Sequence, residues 1–370
     1  MVYRISPCIL SGGQPSIYPS ENWGHPFVAI ASLIHMRPVQ LVTLVALVAA
    51  AIARAQQQSS VGSGISGALT TWLTTNPVTV ILAAFISYYV VFSYMDGTQW
   101  KASGKPWPWL ATYRPLYALI GDSGYFKPKI VYDDEAALAS MANRRDKQCI
   151  FGAFPHGVIS LHHGILMTDT AGFLTKFPSF VKMRRDLVAS VTLAVPGYRE
   201  LLMWLGCVDA DKKTAKRVLR EGYHMYVLPG GEAEQLMTQF GKHRVFVRRR
   251  KGFVKLAIEH GASLVPVYAF GETDMYHTSN ALMGFRRWLM KTFRVAVPLF
   301  WGRWGTLVPY PGPLTVVVGA PIEVKKPAEG SEITGEQIEQ VHERFVEALQ
   351  RLFDKHKEKC GYPEAVLEIH

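Results

Sequence analysis

Cysteine and acidic residues are both scarce in this chain of 370 residues. The four cysteines form no CxxC pair, which argues against a disulfide framework and a structural zinc site. The 29 acidic residues stand against 40 Lys and Arg, giving a formal charge of +11. Such a charge favours anionic partners, among them lipid headgroups, nucleic acid and phosphorylated substrates.

Several catalytic signatures are also missing. The chain has no HExxH, GxSxG or GxxxxGK[ST], which removes sequence support for a zincin, an α/β-hydrolase or a P-loop nucleotidase. GSGISG at 62–67 fits GxGxxG, but no acidic residue follows it before Asp96, so a flexible linker is favoured over dinucleotide binding. His162 and His163 are adjacent while the other histidines are scattered, and we predict no metal site.

Two charge-free apolar segments lie at 38–53 and 77–92. Each falls short of the roughly 20 residues that cross a hydrocarbon core upright. Lys and Arg flank the pair and none lies at 56–75, which predicts a transmembrane helical hairpin with both ends in the cytosol. A re-entrant hairpin that does not fully span the bilayer and a pair of buried core helices are the alternatives. We divide the chain into an irregular cytosolic segment at 1–37, a membrane-anchoring hairpin at 38–95 and a globular domain at 96–370.

Short apolar runs alternate with helical patterns after residue 106. The runs of strand length lie at 148–154, 187–195, 223–229, 262–270 and 314–319. Helices are predicted at 213–222, 250–261 and 334–357, the last with Thr334 and Gln337 in capping-box spacing. This alternation predicts an α/β fold, a mixed sheet flanked by helices.

The segment FGAFPHGVIS at 151–160 places His156 at the end of one of these runs. Pro155 fixes one backbone dihedral before it, and Gly157 lets a substrate approach the backbone closely. This is a suitable place for a general base. A single histidine in a turn is also a common structural feature, so the residues alone leave both interpretations open.

Positive charge is concentrated in two stretches. The first, KHRVFVRRRKGFVKL at 242–256, is compatible with nucleic acid, but the upstream apolar segments favour a lipid headgroup or the phosphates of coenzyme A. The second, 284–305, mixes Arg with Trp and Phe and has no acidic residue. That composition suits a surface lying on an anionic bilayer, with a solvated basic helix as the alternative.

Five blocks of the sequence resemble one known family. FPHG at 154–157, PGGEAE at 229–234, RRKGFVKLAIEHGASLVPVYAFGE at 249–272, LVPYPGPLTVVVGAPI at 307–322 and LFDKHK at 352–357 are similar in order and spacing to blocks of the type 2 diacylglycerol O-acyltransferase family. The resemblance covers about residues 90–370, and its most specific block runs from Arg250 to Glu272. It implies a glycerolipid-acyltransferase-like fold, with 96–370 as the acyltransferase domain.

The resemblance implies a membrane enzyme of the endoplasmic reticulum and lipid droplet, its catalytic domain facing the cytosol. Such an enzyme transfers a fatty acyl group from acyl-CoA to diacylglycerol and makes triacylglycerol. Acyl-CoA is a co-substrate, and neither a cofactor nor nucleic acid is expected. Monoacylglycerol or a long-chain alcohol as acceptor, and a non-enzymatic membrane protein of lipid droplets, are the alternatives. Whether the chain forms a homo-oligomer is left open.

The family's histidine and acidic residue fall on His156 and Glu234. We expect His156 to take the proton of the acceptor hydroxyl, and Glu234 to orient the imidazole and stabilise the imidazolium. The wider glycerolipid acyltransferases have Asp five residues after the histidine, where this chain has Leu161, so the orienting partner is open. Backbone N–H groups near Gly157 or Gly230 and Gly231 are expected to hold the oxyanion. The expected substrate-binding residues are Phe154, Pro155, Gly157, Gly230, Gly231, Arg249, Arg250, Lys251 and Lys255.

Overall fold

A seven-stranded sheet organises the described part of the chain, in which Gly97–His370 forms one compact unit. The computed structural model describes residues 87, 89 and 93–370, except 294 and 329. The predicted segment at 1–37 and nearly all of the predicted hairpin at 38–95 lie outside these residues. Within the described ranges, no helix has both the length and the apolar character needed to cross a bilayer.

The strands of the described residues are short. They are β1 (Lys129–Tyr132), β2 (Cys149–Phe154), β3 (Arg184–Val188), β4 (Cys207–Asp209), β5 (His224–Val227), β6 (Arg244–Val245), β7 (Ser263–Phe270), β8 (His277–Ser279), β9 (Leu299–Trp301), β10 (Thr315–Val318) and β11 (Glu368–Ile369).

The helices lie between these strands. The α-helices are α1 (Pro108–Thr112), α2 (Arg114–Gly121), α3 (Glu135–Ala142), α4 (Leu161–Met167), α5 (Phe173–Lys176), α6 (Ser179–Met183), α7 (Tyr198–Trp204), α8 (Lys212–Arg220), α9 (Gly231–Met237), α10 (Gly252–His260), α11 (Met283–Phe293) and α12 (Gly335–His356). Short 3-10 helices lie at Thr98–Trp100, Asp169–Ala171, Thr192–Ala194, Glu272–Asp274 and Arg303–Gly305.

The main sheet is mixed, as predicted. Its strand order is β1-β10-β7-β2-β5-β3-β4, with β10 antiparallel to β7 and the other neighbours parallel. β2 lies between β7 and β5, and Phe154 at its end pairs with Tyr268. The loop that follows β2 therefore starts from the middle of the sheet, where the strand position is held from both sides.

Both faces of the sheet are covered by helices. Every residue of β2 and β7 is buried. One face packs against α8, α10 and α12, and the other packs against α3, α4, α5 and α6. At Gly152 of β2, a Cβ would lie 2.8 Å from the ring of Phe345, so α12 sits directly against the strand. Parallel strands need cover on both sides because their apolar side chains point both ways.

Most predicted elements are confirmed. β2, β5, β7, β10, α8, α10 and α12 all fall where expected, and Thr334 and Gln337 form the predicted capping box. The strand predicted at 187–195 is wrong: β3 covers Arg184–Val188, and the apolar residues after it form a 3-10 helix. Arg184, Arg185 and Asp186 are buried in β3, where an ion pair between Arg184 and Asp186 and hydrogen bonds to backbone carbonyls engage most of their polar groups.

Candidate active site

His156 lies two residues beyond β2, in the loop that leads into α4. Its ring is half-buried, and Nδ1 is 3.2 Å from the carbonyl oxygen of Gly157 and 3.1 Å from Oγ of Ser160. No residue in the described part of the chain hydrogen-bonds to Nε2. The strand end thus presents an imidazole with one nitrogen engaged and the other available.

Glu234 approaches His156 through the main chain. The carboxylate, which lies on the buried side of α9, accepts the backbone N–H of His156 on Oε1 and the N–H of Phe246 on Oε2 at 2.7 Å. The two predicted catalytic residues are therefore brought together, but the contact is to the His156 amide. Glu234 fixes the backbone of the loop in this geometry, which differs from the expected pairing with the imidazole ring.

A second buried carboxylate, Glu272, holds the other end of the same loop. It accepts the N–H of Leu161 at 3.0 Å and the N–H of His162 at 2.9 Å, and its Oε2 is 3.0 Å from Nδ1 of His162. A Cβ on Gly157 would lie 2.4 Å from Oε1 of Glu272, and Gly157 has φ +65°. Gly157 is therefore required by the loop itself, because any larger residue meets both a strained backbone and this carboxylate.

Burial shifts the two principal groups in opposite directions. It lowers the pKa of His156 to about 4 and raises the pKa of Glu234 to about 7. The N–H groups of Phe246 and His156 and the positive charge of Arg250 favour the Glu234 carboxylate and oppose part of its shift. At neutral pH His156 is uncharged, which is the state that a general base requires.

The three glycines whose N–H groups were expected to hold the oxyanion, Gly157, Gly230 and Gly231, have different surroundings. A Cβ on Gly230 would lie 2.1 Å from the Glu234 carboxylate, so this carboxylate fits only beside glycine. The N–H of Gly231 donates to the carbonyl of Leu228 at 3.1 Å and is not free to hold an oxyanion, which corrects that part of the expectation. The N–H groups of Gly157 and Gly230 have no acceptor among the described residues.

The other predicted substrate-binding residues include buried, paired and exposed side chains. Phe154 is fully buried, with its ring 6.3 Å from that of Phe345, so it supports the loop from the core and does not line it. Pro155 is also buried. Arg250 donates to the carbonyl of Gly230 at 3.3 Å and lies beside Glu234, and Lys251 pairs with Glu339. Arg249 and Lys255 are exposed.

The adjacent histidines of α4 have separate structural partners. His162 pairs with Glu272, while Nε2 of His163 is 2.9 Å from Asp186 and its ring stacks on Tyr226. In the ranges that the structure describes, no three His, Cys, Asp or Glu side chains are grouped so as to hold a metal ion.

Two residues of the site were missed by the sequence reasoning. Ser160 follows His156 by four residues and contacts its ring. Glu272 follows β7 in the chain and accepts a hydrogen bond from the loop. Glu272 is the last residue of the most specific sequence block, but the sequence alone assigns no role to it. Ser160 gave no signal, because a lone serine before a short helix is usually only a cap.

Comparison with known proteins gives consistent matches. A family model described as "Diacylglycerol acyltransferase" matches residues 78–370. Human 2-acylglycerol O-acyltransferase 3 is 32% identical over 297 residues, which cover 75% of this chain and 82% of that protein. Human diacylglycerol O-acyltransferase 2 is 38% identical over 238 residues, covering 60% of each chain. Diacylglycerol O-acyltransferase 1 of Eremothecium gossypii is 36% identical over 233 residues, covering 60% of this chain and 50% of that one.

Proposed function

This chain belongs to the diacylglycerol acyltransferase family, and on that premise we propose that it transfers a fatty acyl group from acyl-CoA to the free hydroxyl of diacylglycerol, forming triacylglycerol. The observation that carries the proposal is His156, an uncharged, recessed imidazole at the end of a central strand, with no described partner on Nε2. The loop that holds it is fixed by Glu234 and Glu272.

In the proposed reaction, His156 accepts the hydroxyl proton as the acceptor oxygen bonds to the thioester carbonyl carbon. The resulting oxyanion lies near the N–H groups of Gly157 and Gly230. The carbon–sulfur bond then breaks, and coenzyme A leaves as a thiolate because a thiol of this kind has a pKa of about 8.5. The imidazolium returns its proton to the thiolate. Acyl-CoA is the co-substrate, and the exposed Arg249 and Lys255 are available to its phosphates.

One acceptor other than diacylglycerol has specific support. The relative that this chain covers most fully among those compared is named for 2-acylglycerol, which makes monoacylglycerol the second candidate. A single experiment separates the two. Membranes from a host without triacylglycerol synthesis, expressing the full chain, are given labelled acyl-CoA with diacylglycerol, 2-monoacylglycerol or a long-chain alcohol, and the lipid products are resolved by thin-layer chromatography.

We expect labelled triacylglycerol from diacylglycerol to be the main product. Labelled diacylglycerol formed only from monoacylglycerol would assign the second candidate. No labelled ester from any acceptor, with the protein present in the membranes, would overturn the proposed function.

We further propose that the protein acts at the endoplasmic-reticulum membrane and the lipid-droplet surface, with an aromatic–basic segment, residues 282–308, lying on the lipid. Its described basic side chains outside the core are Arg287, Lys291 and Arg303, a further arginine, Arg286, is buried, and no acidic residue occurs from Met275 to Ile322. Its exposed apolar side chains are Leu282, Phe285, Trp288, Phe293, Val297, Leu299, Trp301, Trp304, Leu307 and Val308. Aromatic and basic side chains together suit an anionic interface.

Internal contacts hold this segment in one arrangement. The buried guanidinium of Arg286 donates to the carbonyl of Ser279, in β8, at 2.7 Å and to that of Val297, just before β9, at 2.6 Å, and β8 pairs with β9 in antiparallel orientation. Thr278, in β8, donates to the carbonyl of Thr238, the residue that follows α9. Because α9 carries Glu234, the aromatic–basic segment lies close to the site, where a lipid acceptor would enter from the membrane.

Spin labels test the membrane-facing orientation. Trp304 and Val366 are matched in exposure at 73% and 71%, but only Trp304 belongs to the aromatic–basic segment. Each is changed to Cys in the full chain with Cys8 and Cys360 replaced by Ser, labelled, and reconstituted in nanodiscs containing anionic lipid. We expect the label at 304 to collide mainly with lipid-soluble oxygen and the label at 366 with a water-soluble nickel chelate. Equal nickel accessibility at both positions would contradict this orientation.

A further inference from the structure

The hydrogen bonds around His156 determine which ring nitrogen carries its proton. Oγ of Ser160 is 2.7 Å from the carbonyl oxygen of His156, and a carbonyl can only accept, so the single hydroxyl hydrogen of Ser160 is donated there. Oγ therefore presents a lone pair to Nδ1, at 3.1 Å. The carbonyl of Gly157, at 3.2 Å from Nδ1, is also an acceptor. Both neighbours of Nδ1 accept, so the proton lies on Nδ1.

A neutral imidazole has one N–H, and the other nitrogen then holds a lone pair. With the proton on Nδ1, Nε2 is the basic nitrogen. We propose that Ser160 is a positioning residue which, together with the Gly157 carbonyl, holds His156 in the Nδ1–H tautomer and leaves the Nε2 lone pair to accept the hydroxyl proton. This inference rests on the proposed function, in which His156 is the base.

The local structure at Ser160 indicates that the side chain is used for this purpose. Ser160 precedes α4 with φ 54° and ψ 53°, a left-handed conformation that glycine adopts without strain and other residues rarely adopt. A serine at a helix start normally accepts an N–H of the first turn, but Ser160 makes no such cap. Glu272 already accepts the N–H groups of Leu161 and His162. The Ser160 side chain therefore does not cap α4, and its hydroxyl contacts His156 instead.

This role differs from the expected one for Glu234. The carboxylate reaches the His156 amide, whereas Ser160 and the Gly157 carbonyl contact the ring itself. The ring is therefore oriented by two neutral oxygens supplied by its own loop. A neutral acceptor fixes the tautomer without adding a negative charge beside the buried imidazole.

Two variants of the full chain separate positioning from folding. Ser160→Gly removes the hydroxyl and relieves the left-handed strain, so the unfolding temperature should rise or stay unchanged. The same variant should lose about five- to tenfold in kcat with little change in KM, because one hydrogen bond of roughly 1 kcal/mol no longer holds the reactive tautomer. Ser160→Asn, which tolerates this conformation and supplies an amide oxygen, should recover part of the loss.

Nitrogen-15 NMR of histidine-labelled protein gives a readout that does not depend on turnover. The His156 signals are identified by their absence in His156→Gln, and the shifts show which ring nitrogen is protonated. We expect protonated Nδ1 in the natural chain and a mixture of tautomers in Ser160→Gly. Protonated Nε2 in the natural chain, or a Ser160→Gly enzyme with unchanged kcat, would overturn the inference. An active His156→Gln enzyme would instead remove His156 as the general base, whereas the absence of any labelled ester from the natural chain would overturn the proposed function.

Discussion

Replacing His156 by Gln should reduce acyl transfer by about 10²–10⁴-fold, the range that a positioned general base contributes. Glutamine is similar in size and keeps a polar side chain in the loop, but it cannot accept the hydroxyl proton. The loss should fall on kcat, since acyl-CoA contacts elsewhere are unchanged. The measurement is the rate of labelled triacylglycerol formation at saturating acyl-CoA, with the amount of membrane-bound protein determined in parallel.

His260→Gln is the matched control for this change. His260 is the last residue of α10 and takes no part in the site, so its replacement should leave the rate unchanged.

The pH dependence of the reaction rate provides a second check on His156. Because burial lowers the pKa of His156 to about 4, the base stays uncharged and active below pH 6 and becomes protonated as the pH falls toward 4. Near-natural turnover by His156→Gln would remove this residue from the mechanism.

Changing Gly157 to Ala should have the largest effect on the fold of the site. The new methyl group would meet Glu272 at 2.4 Å, and the residue would be forced to keep φ +65°. We expect a loss of about 3 kcal/mol or more in the free energy of unfolding, combining backbone strain with overpacking. Activity should also fall more than tenfold, because the contact is relieved only if the loop moves or if Glu272, whose carboxylate holds the loop, is displaced. Thermal unfolding in detergent and the triacylglycerol assay measure the two effects.

Gly172→Ala separates the two components of that loss. Gly172 has φ +75°, close to that of Gly157, but a Cβ there meets nothing within 4 Å. This control should lose only about 1 kcal/mol from the strained backbone and should keep its activity. If both variants were destabilised equally and Gly157→Ala stayed active, the close contact with Glu272 would have no part in holding the loop.

The elements that sequence reasoning predicted well are those with local signals. α12 has a capping box and an apolar stripe, α10 ends at a glycine with φ +68°, and β2 and β7 are short apolar runs bounded by turn residues. The resemblance to an acyltransferase family is confirmed by the family match, and this favours an enzyme over a non-enzymatic droplet protein.

The sequence did not predict where β3 begins or which atoms Glu234 contacts, and both have the same physical cause. β3 begins with Arg184, Arg185 and Asp186, three charged residues that the strand predicted at 187–195 leaves out, yet they are buried and bond to one another and to carbonyl oxygens. Glu234 lies beside His156, but its hydrogen bond is with the backbone N–H of that residue and not with the ring that the sequence led us to expect. The partners of that loop come from separate regions of the chain, and no local pattern reveals which atoms meet.

The strand order also determines when the packing around the site can form during protein synthesis. β2 is synthesised and leaves the ribosome early. Three groups that contact it or its loop are synthesised much later: the neighbouring strand β7, the carboxylate of Glu272 and the ring of Phe345. β1 likewise waits for its partner β10, which lies almost two hundred residues later in the chain. A nascent polypeptide halted before α12 would leave one face of β2 without its covering helix. The complete packing around the site therefore forms only after α12 has been made, and quality control has a long interval in which to capture an interrupted chain.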